Sequence, residues 1–318
     1  MSQFLMTGGS GFLGTILLEK LLAQGHRVYS LVRRLPSGAL RAWPNLTRVS
    51  GADVTKANLN LTSAALDQLA GAQFDACYHL AAILKLGVDR DCRIYLTNVE
   101  GTNNVLALCA KLRIPHIYYC STAFTGGRNP YELSKTIAEY LVREWAAKGN
   151  RGYTIYKPSI IMGSGQHFFP GHFSQFTGLL IRTHRRAEIV RRVIQGKLSL
   201  PVLEPVFRIK GDPEGHLNLV DVEDVAASLA CLTGSGTYWL THDHPPKIAE
   251  LLKWIGEFIK VDLRAVPDFS PTPLETRFIQ LTEAFQPYLY GQEFPSSIVR
   301  ARPIDRDIIQ ELVKNSLY

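Results

Sequence analysis

Cysteine is scarce and unpatterned in this chain. The five cysteines among 318 residues (Cys77, Cys92, Cys109, Cys120 and Cys231) are odd in number and lie mostly in apolar segments. None is spaced C-x-x-C, which argues against a disulfide framework and fits a reduced, cytoplasmic compartment with the thiols acting as small core residues. Long hydrophobic runs are missing as well: none approaches the ~18 residues that cross a bilayer, so no transmembrane segment is expected. The opening MSQFLMTGGSG has no charged n-region, long apolar h-region or A-x-A-like site, and reads as a first strand, not a signal peptide. Internal repeats and low-complexity tracts are absent. "HDH" at 242–244 holds two histidines with no further ligands at recognisable spacing, so no metal is expected.

What is present suits a folded enzyme-sized chain. A hydrophobic content of 46% against 20% charged residues supports a substantial core in one large or two interleaved domains. The net charge of +7 admits an acidic partner such as nucleic acid, an anionic membrane surface or a phosphorylated ligand, and by itself selects none of them.

Strand-like and helical patterns alternate from the start, as in an α/β protein with a doubly wound parallel sheet. QFLMTG is followed by a helical repeat of Leu13, Leu17, Leu18, Leu21 and Leu22 that stops at Gly25. RVYSLVRR, LTRVSGAD, DACYHLAAI, HIYYCST and YTIYKPSII supply five further strands, with helices near 62–70 and 97–112. The rhythm breaks over 166–216, and HLNLVDVEDVAASLACLT then GTYWLT restore it. The expected organisation is a nucleotide-binding domain over 1–165, completed by 217–241. A smaller lobe, 166–216 and 242–318, would bind substrate; an amphipathic helix at 248–260 belongs to it.

TGGSGFLG holds G-x-G-x-x-G at Gly9, Gly11 and Gly14 and T-G-x-x-G-x-x-G at Gly8, Gly11 and Gly14. It sits between a predicted strand and a helix starting near Phe12, the context in which such glycines let a pyrophosphate approach the backbone and a helix N-terminus. At the end of the second strand, where an acidic residue would bond the ribose of NAD, stand Arg33 and Arg34. Guanidinium forks suit a 2′-phosphate, so NADP(H) is expected. Asp53 in GADV either accepts from the adenine amino group or is an ordinary turn aspartate.

Tyr131 and Lys135 in NPYELSK fall at i and i+4, one face of a helix that Asn129 would cap and Pro130 would begin. A nearby ammonium brings a phenol, with a pKa of about 10, towards neutrality. Thr122 closes the fifth strand, with Ser121 as the alternative hydroxyl.

With TGGSGFLG, HLAA (79–82), NVEGTNNVL (98–106), STA (121–123), YELSK and KPSIIMG in this order, the chain resembles the extended short-chain dehydrogenase/reductase superfamily over 1–165, and LNLVDVEDVA carries the likeness to about 230. The resemblance implies a Rossmann core and a Ser/Thr-Tyr-Lys site formed by Thr122, Tyr131 and Lys135. Cofactor contacts would come from Gly8, Gly9, Ser10, Gly11, Phe12, Leu13, Gly14, Arg33, Arg34, Asp53 and Val54. Leu80, Ala81, Ala82, Asn98, Tyr131, Lys135, Pro158, Ser159 and Ile161 complete that set. His79 would pack or bond near the cofactor. Only nine positions lead from Thr122 to Tyr131, fewer than extended members carry, which implies a more open site on that side.

Within the superfamily, NPYELSKTIAEYLVRE, YTIYKPSIIMGSG and LNLVDVEDVA are most similar to the thioester reductase and fatty acyl reductase branch. That implies NADPH reduction of an acyl thioester through a hemithioacetal, a small-molecule or carrier-tethered acyl substrate, and an acyl carrier protein and a homodimer as conceivable partners; no nucleic acid is implied. Arg182, Arg185, Arg186, Arg191, Arg192 and Lys197 either receive the phosphates of coenzyme A or a phosphopantetheine arm, or the acidic face of a carrier protein, or form a solvated helix face. HFFPGHFSQF lines an acyl pocket or is core. The competing readings are a sugar-nucleotide epimerase or dehydratase, a ketone or hydroxysteroid-type dehydrogenase, and a non-catalytic nucleotide sensor.

Overall fold

The computed structural model describes residues 1–34, 43–163, 171–198 and 206–316, without the side chains of 187–192 and 194–198. Arg191, Arg192, Lys197 and the aromatics Phe168 and Phe169 lie outside that description. The chain divides into two compact units: Met1–Ser159 with Glu223–Thr241 and Ser296–Ile298, and Ile160–Val222 with His242–Pro295 and Val299–Tyr318.

Apolar stretches too short for helices and bounded by turns build the first unit's sheet. Its strands are β1 (Gln3–Thr7), β2 (Arg27–Val32), β3 (Leu46–Ser50), β4 (Ala76–His79), β5 (His116–Cys120) and β6 (Gly152–Pro158), with a later strand at Gly236–Leu240. Between them run α1 (Phe12–Ala23), α2 (Ser63–Ala70), α3 (Arg93–Tyr95), a π turn (Leu96–Glu100), α4 (Gly101–Lys111) and α5 (Pro130–Gly149). The predicted single helix near 97–112 is thus broken by a wider turn, a device that re-aims side chains at functional positions.

The second unit contains β7 (Ile160–Met162), α6 (His172–Leu198), β8 (Phe207–Lys210) and β9 (Leu219–Asp221); α7 (Val222–Cys231) and the strand at Gly236–Leu240, β10, then return to the first. α8 (Ile248–Ile259), β11 (Leu263–Val266), α9 (Pro273–Leu281) and α10 (Arg306–Asn315) follow. Phe176 packs edge-on against Phe278 at 5.6 Å and Phe285 at 6.0 Å, so this part of HFFPGHFSQF is interior packing of the second unit. Arg182, Arg185 and Arg186 are exposed on α6.

The main sheet runs β10-β6-β5-β4-β1-β2-β3, every pairing parallel. Chain order reverses between β1 and β4, whose carboxyl ends therefore flank the crevice where doubly wound sheets take ligands. One expectation is corrected. HLNLVDV does not rejoin this sheet: among the described residues β9 pairs with β7 alone, Ile160↔Leu219 to Met162↔Asp221. The switch follows Pro158, where the Ser159 N–H still donates to the Leu240 carbonyl while that of Ile160 donates to Asn218.

α1 buries Ile16, Leu17, Leu18, Leu21 and Leu22 against one side of the sheet. A row of rings crosses five neighbouring strands: Phe4 to Tyr78 at 5.2 Å, Tyr78 to Tyr118 at 4.5 Å, Tyr118 to Tyr156 at 6.2 Å, and Tyr156 to Tyr238 at 6.2 Å. The Tyr78 hydroxyl donates to the Leu229 carbonyl, and that of Tyr156 to Leu232, fastening the row to α7 and its C-terminal end.

Candidate active site

The glycine loop leaves no room for side chains. Gly8 takes φ +79°, and a Cβ there would stand 2.6 Å from the Ala81 nitrogen. On Gly9 it would stand 2.6 Å from Ser30 Oγ, and on Gly14 it would enter the Gly8 carbonyl. Gly11 is the N-cap of α1 and brings no side chain to close the first turn, the arrangement that receives anions at helix starts. Leu80 donates its N–H to the Thr7 carbonyl at 3.1 Å, so the segments Gly8–Gly14 and Leu80–Ala82 lie side by side at the carboxyl ends of β1 and β4. The Ser159 hydroxyl, at the end of β6, is buried without a partner among the described residues. The glycine loop and the Leu80–Ala82 segment fit the pyrophosphate of a dinucleotide, whereas Ser159 lies three strands away from β1 across the sheet.

Beneath the glycine loop His79 organises a directional chain. Thr102 Oγ1 donates to the Asn98 carbonyl at 2.6 Å, so it accepts from His79 Nε2–H at 3.0 Å. His79 Nδ1 then accepts from Thr7 Oγ1 at 2.7 Å, and Thr7 accepts the Ala81 N–H. Burial drives the imidazole pKa down to about 3, with the Lys135 charge acting the same way. A neutral ring suits this chain, and His79 is structural. At the π turn Asn98 receives the Ile83 N–H on Oδ1 and donates from Nδ2 to the Ile83 carbonyl and to Ser134 Oγ, which itself donates to the Tyr131 carbonyl.

Asn129 Oδ1 accepts the Glu132 N–H at 3.0 Å, and Pro130 opens α5, which sets Tyr131 and Lys135 on its first two turns. Both are buried. Lys135 Nζ donates to the Cys120 carbonyl at 2.7 Å and stands 4.9 Å from the Tyr119 ring. Burial lowers its ammonium pKa to about 8, while the neighbouring Cys120 and Glu139 pull the other way.

Past Cys120 the chain stays extended, Ser121 and Ala123 donating to the Tyr156 and Pro158 carbonyls, so adjacent side chains point to opposite sides. Ser121 Oγ donates to Glu139 Oε1 at 2.5 Å, whereas Thr122 Oγ1 accepts the Phe124 N–H at 3.3 Å, a bond that does not use its own O–H. Lys157 Nζ donates to the same Glu139 oxygen at 2.7 Å and to Thr125 Oγ1 at 3.2 Å. The short link to Tyr131 folds on Glu132: the Arg128 guanidinium and N–H both bond this fully buried carboxylate.

Arg33 and Arg34 are exposed just after β2. Asp53 Oδ1 accepts from Thr55 N–H and Oγ1 as a turn aspartate; burial would raise its pKa, but these bonds and the charges of Lys56 and Arg33 hold it below the usual value. Val54 packs on Gly101, its carbonyl accepting from Asn104. Ile161 lies in β7 of the second unit. In the same unit His242 Nε2–H donates to the Arg302 carbonyl while Nδ1 accepts the His244 N–H.

Sequence reading passed over Glu139, Lys157, Glu132, Arg128 and Ser134. Two signals were present: Glu139 falls on the buried stripe of α5 between Lys135 and Val142, and Lys157 is a lone charge within an otherwise uncharged strand.

The model of the NAD dependent epimerase/dehydratase family matches residues 4–235. The Escherichia coli O157:H7 N-acetyl-alpha-D-glucosaminyl-diphospho-ditrans,octacis-undecaprenol 4-epimerase is 33% identical over 176 residues, 50% of this chain and 49% of that protein. The D-erythronate dehydrogenase of Haemophilus influenzae is 30% identical over 182 residues, 52% and 56% of the two chains. The chain thus spans about half the length of these curated relatives. Among solved structures, the terminal R domain of the myxalamid PKS-NRPS pathway superposes with a TM-score of 0.72 at 19% identity, covering 99% of this chain and 90% of that one. The UDP-glucose 4-epimerase of Thermotoga maritima does so at 0.65 and 16%, covering 98% and 97%. These likenesses speak for the fold, and the family match spans most of the chain: it belongs to the NAD dependent epimerase/dehydratase family, within the extended short-chain dehydrogenases/reductases.

Proposed function

We propose that the chain is an NADPH-dependent reductase of an acyl thioester, on coenzyme A or tethered to a carrier, giving an aldehyde or alcohol. The observation that carries this reading is the buried Tyr131–Lys135 pair on α5, with Lys135 bonded to the end of the strand that bears Thr122. Arg33 and Arg34, in place of an acidic residue after β2, favour the 2′-phosphate cofactor. The extent of the architecture shared with a terminal R domain favours the thioester branch.

The bound nicotinamide would supply hydride. Thr122 donates a hydrogen bond to the substrate carbonyl oxygen, and Tyr131 gives that oxygen its proton, leaving a hemithioacetal whose C–S bond then breaks to release the aldehyde, the hydroxyl proton passing to the sulfur of the departing coenzyme A or carrier thiol. With a pKa of about 8, Lys135 stays mostly charged at neutral pH and stabilises the tyrosinate left behind. Ser121 is less suited to the donor's role because its O–H already donates a hydrogen bond to Glu139.

A second reading is an NAD-linked epimerase, dehydratase or dehydrogenase acting on a sugar nucleotide or hydroxylated substrate, favoured by the family description and the two curated relatives. A panel of acyl-CoAs, aldehydes, ketones and sugar nucleotides, followed at the nicotinamide absorbance with NADPH and with NADH, separates the two. Oxidation of NADPH by an acyl-CoA is expected. Tyr131→Phe should lower that turnover by about 10³-fold with NADPH affinity unchanged; undiminished turnover would overturn the assignment.

A further inference from the structure

Behind the Tyr131–Lys135 pair lies a buried ionic cluster that the proposed chemistry does not use. Glu139 is one helical turn beyond Lys135, with its side chain 12% exposed. Its Oε1 receives two bonds, from Ser121 Oγ at 2.5 Å and from Lys157 Nζ at 2.7 Å. Lys157 is still more buried, at 6%, and sits 5.0 Å from the Trp239 ring. Water cannot easily screen charges so placed, so each is felt by its neighbours.

We infer that Glu139, held by Lys157, is a positioning residue for this site: it turns Ser121 inward, thereby presenting Thr122 on the opposite side of the strand, and it keeps a negative charge beside Lys135. The inference rests on the reading of Tyr131 and Lys135 given above. Its steric half follows from strand alternation. Ser121 and Thr122 are adjacent in extended chain, so fixing one hydroxyl on the carboxylate fixes the direction of the other. Its electrostatic half follows from the groups around Lys135. These are Cys120 and Tyr119 from β5, His79 from β4, and Tyr131 and Glu139 from α5 itself. Glu139 in turn faces Lys157 from β6, Tyr119 from β5, Ser121 just past its end, and Arg143 along α5 at 3.7 Å. Its charge opposes the burial that pulls the Lys135 proton off.

The signs of two substitutions follow. Glu139→Gln removes an attraction for the ammonium, so Lys135 loses its proton at lower pH. Lys157→Met removes a repulsion and leaves the carboxylate on Ser121 and near Arg143, so Lys135 holds its proton to higher pH. A purely structural role would not move the two variants in opposite directions.

The test is a pH titration of the full chain labelled with ¹³Cε-lysine, without cofactor, the Lys135 resonance being assigned by its loss in Lys135→Met. A midpoint near 8 is expected in the parent. Glu139→Gln should bring it down by about one pH unit, and Lys157→Met should raise it. The alkaline limb of the pH–rate profile on the substrate panel should follow the same directions. Unmoved midpoints, or midpoints moved in the same direction, overturn the inference; if either variant does not fold, the other decides alone. Opposite shifts without turnover on any substrate would leave the tuning of Lys135 standing and remove the reductase reading. Turnover with unmoved midpoints would do the reverse.

Discussion

His79 shows how one buried ring links the nucleotide loop to the stability of the sheet. Its folded-state pKa, lowered to about 3 by burial, lies below the ordinary value of 6.5. The unfolded chain therefore binds a proton that the folded chain refuses, and the stability present above pH 6.5 is lost as the pH falls towards 3. Between pH 7 and pH 5 this one residue should remove about 2 kcal/mol of unfolding free energy. Denaturant titrations at both pH values, on the parent and on His79→Asn, measure it: the variant should lose about that much less. The proposed role of Arg33 and Arg34 in meeting a 2′-phosphate is open to a direct test. Alanine at both should weaken NADPH binding about tenfold or more and leave NADH binding nearly unchanged, because only the former carries the 2′-phosphate. Equal NADPH affinity would sink the arginine assignment. The placement of Tyr131 and Lys135 on the first turns of a capped helix was legible in the sequence because an Asn-Pro start and a four-residue spacing are local facts. Glu139 and Lys157 were not, because their meeting depends on how β6 lies beside α5 and β5.

At the scale of elements, the short link into α5 is defined by its own ion pair. Glu132 is a first-turn acid with no exposed surface, and Arg128 satisfies both its carboxylate oxygens. Removing the guanidinium takes away the opposite charge that both oxygens of this buried carboxylate bond, which costs about 3 kcal/mol. Arg128→Ala should lower the unfolding free energy by roughly that amount and speed proteolytic cleavage within 123–129, whereas Arg128→Lys should recover part of both. Equal protease sensitivity would show that the link is held by other contacts. The π turn belongs to the same scale. The sequence reading placed a helix over NVEGTNNVL, and the helix is there, but the widened turn is set by Asn98 bonding the Ile83 backbone and Ser134, both distant in sequence. Periodicity carries no record of such a demand.

Over the whole molecule, the parallel sheet was legible because each of its strands is a short apolar run separated by a helical pattern, and the strand order follows from the handedness of such connections. The departure of β7 and β9 was not. KPSII reads as one continuous strand, and only the change of partner from Leu240 to Asn218 reveals that it serves two sheets. No described helix is long and apolar enough to cross a membrane. The row of rings from Phe4 to Tyr238 crosses five of the seven strands of this sheet, and burial raises the phenols of Tyr78, Tyr118 and Tyr156 above their ordinary value. These phenols resist ionisation while the strands stay together. In alkali Tyr78 and Tyr156 would absorb as tyrosinate once the sheet comes apart, so the protein carries an optical gauge of intactness in the layer on which the glycine loop is built.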